Sequence, residues 1–161
     1  MTASAGSLHA ATGPARGRAP PFRLTAPDPL ELDIHEACAA ALDRLLAPPA
    51  MWCCYPAGGI ELTAAQVAKY GRLGLKRGMP DLFLFFEGLW GIELKRRGGT
   101  LSKTRVVRTR RGSPRVLVGQ AETFPLLIAS GGFQDIGIAH SVEEMLEFCR
   151  YWEIPLRGRV S

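Results

Sequence analysis

The chain has 161 residues, of which 47% are hydrophobic and 22% charged. That suits a single globular domain, and no apolar run approaches the roughly 18 residues that cross a bilayer. The formal net charge of +5 calls for an anionic partner, but the excess is local. Nine of the 20 lysines and arginines lie between Leu94 and Ala121, where there is no acid, and the rest of the chain sets 11 basic against 15 acidic residues.

Residues 1–27 are rich in Ala, Gly, Pro, Ser and Thr without a period and read as a disordered leader. Arg16, Arg18 and Arg23 could touch an anionic partner there or simply be solvated. A domain is expected over 28–154, followed by a tail over 155–161. It opens on a helix with Asp28 as cap, Pro29 at the first helical position and Glu31 completing a capping box. Leu30, Ile34, Ala37, Ala41 and Leu45 share a face of that helix, and Pro48-Pro49 ends it. Glu31 and His35, four apart, flank the stripe, while Glu36 points nearly opposite.

"MWCCYPA" predicts a short strand running into a Gly58-Gly59 turn, and "TAAQVAKYGRL" a helix capped by Thr63 and closed near Gly74. "DLFLFFE" and "WGIELKR" form a hairpin about Glu87-Gly88. A basic insertion, about 103–119, separates it from "QAETFPLLIAS", a helix that Pro125 either interrupts or begins. "FQDIGIA" is a strand, and "SVEEMLEFCRYW" a helix opened by a Ser141–Glu144 capping box. The order α, β, α, β, β, α, β, α predicts an α/β fold with a mixed sheet flanked by helices. Cys38, Cys53, Cys54 and Cys149 contain no C-x-x-C pair, so zinc is not expected. Adjacent Cys53 and Cys54 are most simply buried thiols in a reduced cytoplasm, and no signal peptide is evident. Trp52, Trp90 and Trp152 are assigned to packing.

Strand alternation puts Glu93 and Lys95 on one face and Ile92 and Leu94 on the other. The hairpin register sets Asp81 opposite Glu93 or Leu94. Two carboxylates so close repel, and a hard divalent cation such as Mg²⁺ or Mn²⁺ relieves that cost. A lysine beside the cation can position or deprotonate a water, or stabilise charge building on a phosphate. An isolated Glu-x-Lys on a strand is usually a solvated ion pair. Here Pro80-Asp81 and the cationic segment that follows turn the balance towards phosphodiester chemistry.

"GLKRGMPDLFLF" followed by "GIELKRRGGTLS" resembles the VRR-Nuc domain of the PD-(D/E)xK nuclease superfamily. Its hallmarks are a Gly-x-Pro-Asp strand, a Glu-x-Lys strand, a Gly-x-Leu-Ser turn and a glutamine opening the next helix. Gly74, Gly78, Pro80, Asp81, Glu93, Lys95, Gly99, Leu101 and Ser102 stand in that order, and the likeness runs from about Glu31 to Trp152. The resemblance implies a restriction-endonuclease-like core and a Mg²⁺-dependent DNA endonuclease, with Mn²⁺ able to substitute. Asp81 and Glu93 would bind the metal with the Leu94 carbonyl and Glu31, and Lys95 would act on the attacking water or the phosphate. Gln120 would complete the catalytic set.

Two departures stand out. The family's glutamine follows Leu-Ser within a few residues, whereas Gln120 comes 18 after Ser102, and "PAGG" (56–59) has no asparagine after its proline. Arg96, Arg97, Lys103, Arg105, Arg108, Arg110 and Arg111, in and before the insertion, are expected to grip a DNA backbone. Each neutralised phosphate would then add about 0.9 to the slope of log affinity against log salt. The preferred DNA could be a four-way junction, a flap, a nicked duplex or a single strand. A homodimer could cut two strands from symmetric sites, and phage or mobile-element DNA processing is the setting of small stand-alone relatives. The competing readings are a non-catalytic DNA-binding module on the same scaffold and a structural protein whose basic loop meets acidic proteins.

Overall fold

The computed structural model describes residues 29–55, 63–108 and 112–158. The leader, Asp28, the 56–59 loop, Arg110 and Arg111 lie outside the described residues. The elements are α1 (Glu31–Leu45), β1 (Met51–Cys54), α2 (Ala64–Arg72), β2 (Leu82–Phe85), β3 (Leu89–Leu94), β4 (Arg105–Arg108), β5 (Pro114–Leu117), α3 (Gln120–Ala129), β6 (Asp135–Ala139) and α4 (Val142–Tyr151). A mixed sheet runs in the order β1-β2-β3-β6. Its first three strands are antiparallel neighbours, and β6 lies parallel to β3 after the crossover through α3. The expected order holds with one addition: the basic insertion forms its own two-stranded ribbon, β4 paired with β5.

Alternation along β2 and β3 buries Leu82, Leu84, Ile92 and Leu94 on one face. Against it α1 lays Ile34, Cys38 and Leu42, and α4 lays Met145, Leu146 and Cys149. The apolar stripe of α1 is thus rotated from the expected one, since Leu30 is exposed and Cys38 buried. Its start differs too: the helix begins at Glu31, and Asp33 accepts the Leu30 N–H at 3.0 Å. Thr63 and Gln66 do form the reciprocal box expected at α2. At α4, Ser141 accepts the Glu144 N–H, but the Glu144 carboxylate turns to the main chain and ring of His140. Pro125 neither starts nor breaks α3; it lies on the helix's exposed side, where water can take the carbonyl its missing N–H leaves.

Cys53 and Cys54 are exposed on β1, an edge strand, contrary to the expectation of buried thiols. Cys38 and Cys149 are buried, and burial above all pushes both thiols up to about 11. The tryptophans pack as expected: Trp90 stacks on Trp152 with 5.1 Å between rings, and Trp52 donates to Asp43. Residues 155–157, placed in the tail on sequence, are tied to the end of α1 through Ala47 to Pro155 and Arg157 to Leu45 backbone bonds. Among the described residues no helix is long and apolar enough to cross a membrane.

Gly91 sits buried in the central strand beneath Pro80. A Cβ there would lie 2.8 Å from Cγ of the fully buried Pro80 and 3.1 Å from Cγ1 of the half-buried Ile136. Gly91→Ala is therefore expected to destabilise the fold by about 1–3 kcal/mol through overpacking. Urea denaturation should show a lower midpoint with an unchanged slope. An unmoved midpoint would mean that Pro80 gives way freely.

Candidate functional site

The β2–β3 register runs Phe85 to Leu89 and Leu82 to Ile92, which carries Asp81 to the level of Glu93 at the open end of the hairpin. There the Asp81 carboxylate accepts the Leu94 N–H at 2.9 Å, so β2's leading residue is fastened to β3's last one. Glu93 lies on the face opposite Ile92 and Leu94 and is fully buried, the only charged side chain among the described residues to be so. Its Oε1 is bonded by the Lys95 ammonium and by the Gln120 amide, the latter at 2.5 Å. Its Oε2 is buried with no hydrogen-bond partner. An unpartnered buried carboxylate oxygen is costly and unusual.

Electrostatics follow from this burial. Desolvation, and next the charge of Asp81, push Glu93 up to about 7 against the opposing pull of Lys95 and Gln120. Asp81 is also raised, by desolvation first, with the Leu94 N–H, Lys95 and His35 pulling it back and Glu31 adding to the rise. Burial draws Lys95 down, but its hydrogen bond and attraction to Glu93, reinforced by Glu31 and Asp81, hold its ammonium above the ordinary lysine value. Lys95 is thus a charged donor to Glu93 in this arrangement.

The expected residues fall into three groups. Asp81, Glu93, Leu94, Lys95 and Gln120 come together. Glu31, at the start of α1, faces the same place, but its carboxylate meets Lys95 Nζ at 3.3 Å and is half exposed. Glu36, on the opposite side of α1, is exposed as expected. No group of three or more His, Cys, Asp or Glu side chains is gathered to hold a metal among the described residues. The acidic pair is Asp81 with Glu93, and Glu31 is the lysine's partner. Arg96, Arg97, Lys103, Arg105 and Arg108 are exposed around this end of the sheet and along the ribbon; Arg97 lies near enough to Glu144 to help hold its carboxyl low.

Gln120 reaches Glu93 because the insertion leaves and rejoins the body at one point. Ser102 and Gln120, 18 apart in sequence, exchange bonds: Gln120 Oε1 accepts from the Ser102 N–H and hydroxyl, and Ser102 Oγ accepts the Gln120 N–H. Glu122 accepts both donors of Thr104 at 3.0 Å, and Thr104 Oγ1 accepts the Gly119 N–H. Gly78, at φ +81, lets this base approach: a Cβ would stand 2.7 Å from Thr123 Oγ1 in α3.

Beside the carboxylates a cleft of about 1170 Å³ opens between α2 and β5. Asp81 and Gln120 line it, as do Arg72, Lys76, Arg77 and Arg115. Arg115 belongs to the basic insertion, whereas Arg72, Lys76 and Arg77 lie outside the segment expected to meet a phosphate backbone. "GRLGLKRG", directly ahead of the Pro-Asp, carries those three. Tyr55 was missed as well; its hydroxyl donates to the Lys76 carbonyl at 2.9 Å and accepts the Lys76 N–H at 2.8 Å, pinning the basic turn.

The donor set fits a hard cation. Mg²⁺ is commonly held by one or two carboxylates with waters completing its shell, and here two raised carboxylates offer one orphaned oxygen. Comparison with family models, curated proteins and solved structures finds no match to this chain.

Proposed function

We propose that this chain is a metal-dependent DNA endonuclease of the VRR-Nuc kind, built on a restriction-endonuclease-like core, that hydrolyses phosphodiester bonds. The observation that carries the reading is Glu93. It is fully buried, shares Oε1 between Lys95 and Gln120, and keeps Oε2 unpartnered beside Asp81. Such an arrangement is expensive unless a cation comes to it. The resemblance of "GMPDLFLF" and "GIELKRR" to the family points the same way, as do the cations along the cleft.

Asp81 and Glu93 would hold Mg²⁺ or Mn²⁺, with the Leu94 carbonyl as a further donor. When bound, the ion supplies Lewis-acid polarisation of a phosphate oxygen and a more acidic water. Lys95 keeps its proton, so it orients that water by donating to it, or stabilises the negative charge that develops on the phosphate. Gln120 holds Glu93 through Oε1, which would leave Oε2 for the ion. Glu31 steadies Lys95 from α1. Arg72, Lys76, Arg77 and Arg115 neutralise the phosphates on either side of the bond being cut.

The test is incubation of supercoiled plasmid, flap and four-way-junction DNA with the protein and Mg²⁺ or Mn²⁺. Cutting should occur with either ion, stop with EDTA, and fall at least about a hundredfold to a thousandfold in Asp81→Asn. Binding without cutting, unchanged by Asp81→Asn, would replace the enzyme with a non-catalytic DNA-binding module.

A further inference from the structure

The β4–β5 ribbon carries an exposed apolar face. Val106 and Val116 are direct cross-strand partners, and Val118 follows just past the end of β5. They are 66%, 59% and 50% exposed. Single exposed valines need no explanation, but contiguous ones mark a contact surface. Val116 and Val118 also line the cleft, alongside Arg115 and Lys76.

The occupant has to satisfy apolar side chains and a strongly positive surround together. There is no acidic residue between Leu94 and Ala121, so a second copy of the ribbon would meet its own charge. Unpaired nucleic-acid bases meet both demands: they offer apolar faces and are strung on phosphates. A fully paired duplex keeps those faces stacked inside.

We propose that the valine face of the ribbon is a base-contacting platform that holds an unpaired stretch of DNA, as at a flap or an open fork, while Arg115 and Lys76 hold its phosphates. The placing of this stretch next to a scissile bond rests on the nuclease reading; the platform itself does not.

The test is binding in EDTA, by fluorescence anisotropy, of a labelled thymidine oligomer, an abasic oligomer of equal length and a duplex of equal length. The full-length protein should bind the thymidine oligomer about tenfold tighter than the abasic one, from the apolar area removed from water. The triple variant Val106→Thr, Val116→Thr and Val118→Thr keeps β-branching at exposed positions, so it should melt like the parent. It should lose most of that preference while its affinity for the abasic oligomer and its salt slope stay unchanged. Should the triple variant melt early, Val106→Thr alone, at the most exposed of the three positions, should still narrow the preference.

Equal binding of thymidine and abasic oligomers overturns the platform, as does a preference that survives all three substitutions. Tighter binding of duplex would mean that the ribbon lies in a major groove instead. The two readings fail separately: base preference without Mg²⁺-dependent cutting removes the nuclease and keeps the platform, and cutting without base preference does the reverse.

Discussion

Lys95→Ala should abolish DNA cleavage, by about a hundredfold to a thousandfold or more, and should destabilise the protein far more at pH 8 than at pH 5. Both effects come from Glu93. The lysine's ammonium bonds Glu93 Oε1, and its side chain is only 12% exposed. Removing one partner of a buried pair strands the other, at about 3–5 kcal/mol. Glu93, however, is already pushed up to about 7. At pH 5 it is largely protonated, and the substitution removes little more than one hydrogen bond, about 1 kcal/mol. At pH 8 the carboxylate would be stranded, and the larger cost applies. Urea denaturation of parent and variant at the two pH values decides this, and an equal loss at both would show that Lys95 does not compensate Glu93.

Glu93→Gln should reverse the sense of the pH effect. A carboxyl raised from 4.5 to about 7 on folding binds its proton more tightly in the folded state. The folded state is therefore favoured at low pH and loses stability as pH rises between those two values. The rise amounts to about 3 kcal/mol at 1.36 kcal/mol per unit. Relative to Glu93→Gln, the metal-free parent should thus be more stable at pH 5 than at pH 8 by that order. Mg²⁺ at about a hundredfold over its Kd should return about 2.7 kcal/mol to the parent at pH 8, and nothing to the variant. A flat difference between parent and Glu93→Gln across this range would mean that the burial of Glu93 is compensated without an ion.

Much of this centre can be read before folding is considered. A period of two separates Glu93 from Leu94, and a hairpin about Glu87 brings Asp81 level with Glu93. These are local relations, carried by a short stretch of chain. The errors lie where tertiary context decides. Ala37 and Cys38 differ by one helical step, and only the position of α4 selects Cys38 for burial. "MWCC" reads as a core strand, yet β1 stands at the sheet's edge, which leaves Cys53 and Cys54 exposed. Pro125 reads as a breaker because a sequence does not say which side of α3 faces water. The cations of "GRLGLKRG" carry no distinct signal in the sequence because the opposite wall of their cleft is contributed by β5, some 40 residues later. Gln120, 18 residues after Ser102, departs from the family's spacing for the same reason: distance along the chain says nothing about a ribbon that returns to its starting point.

That return has a consequence for how such a protein can change over time. Loop closure costs only slowly more as a loop lengthens, and here the two ends are already clasped by Ser102 with Gln120 and Thr104 with Glu122. What hangs between the clasps forms its own two-stranded sheet, joined to the cleft of Asp81 through β5. A lineage could lengthen, shorten or exchange the ribbon's outer end without moving Asp81, Glu93 or Lys95, so what the cleft admits can drift while the cluster of carboxylates and lysine stays still.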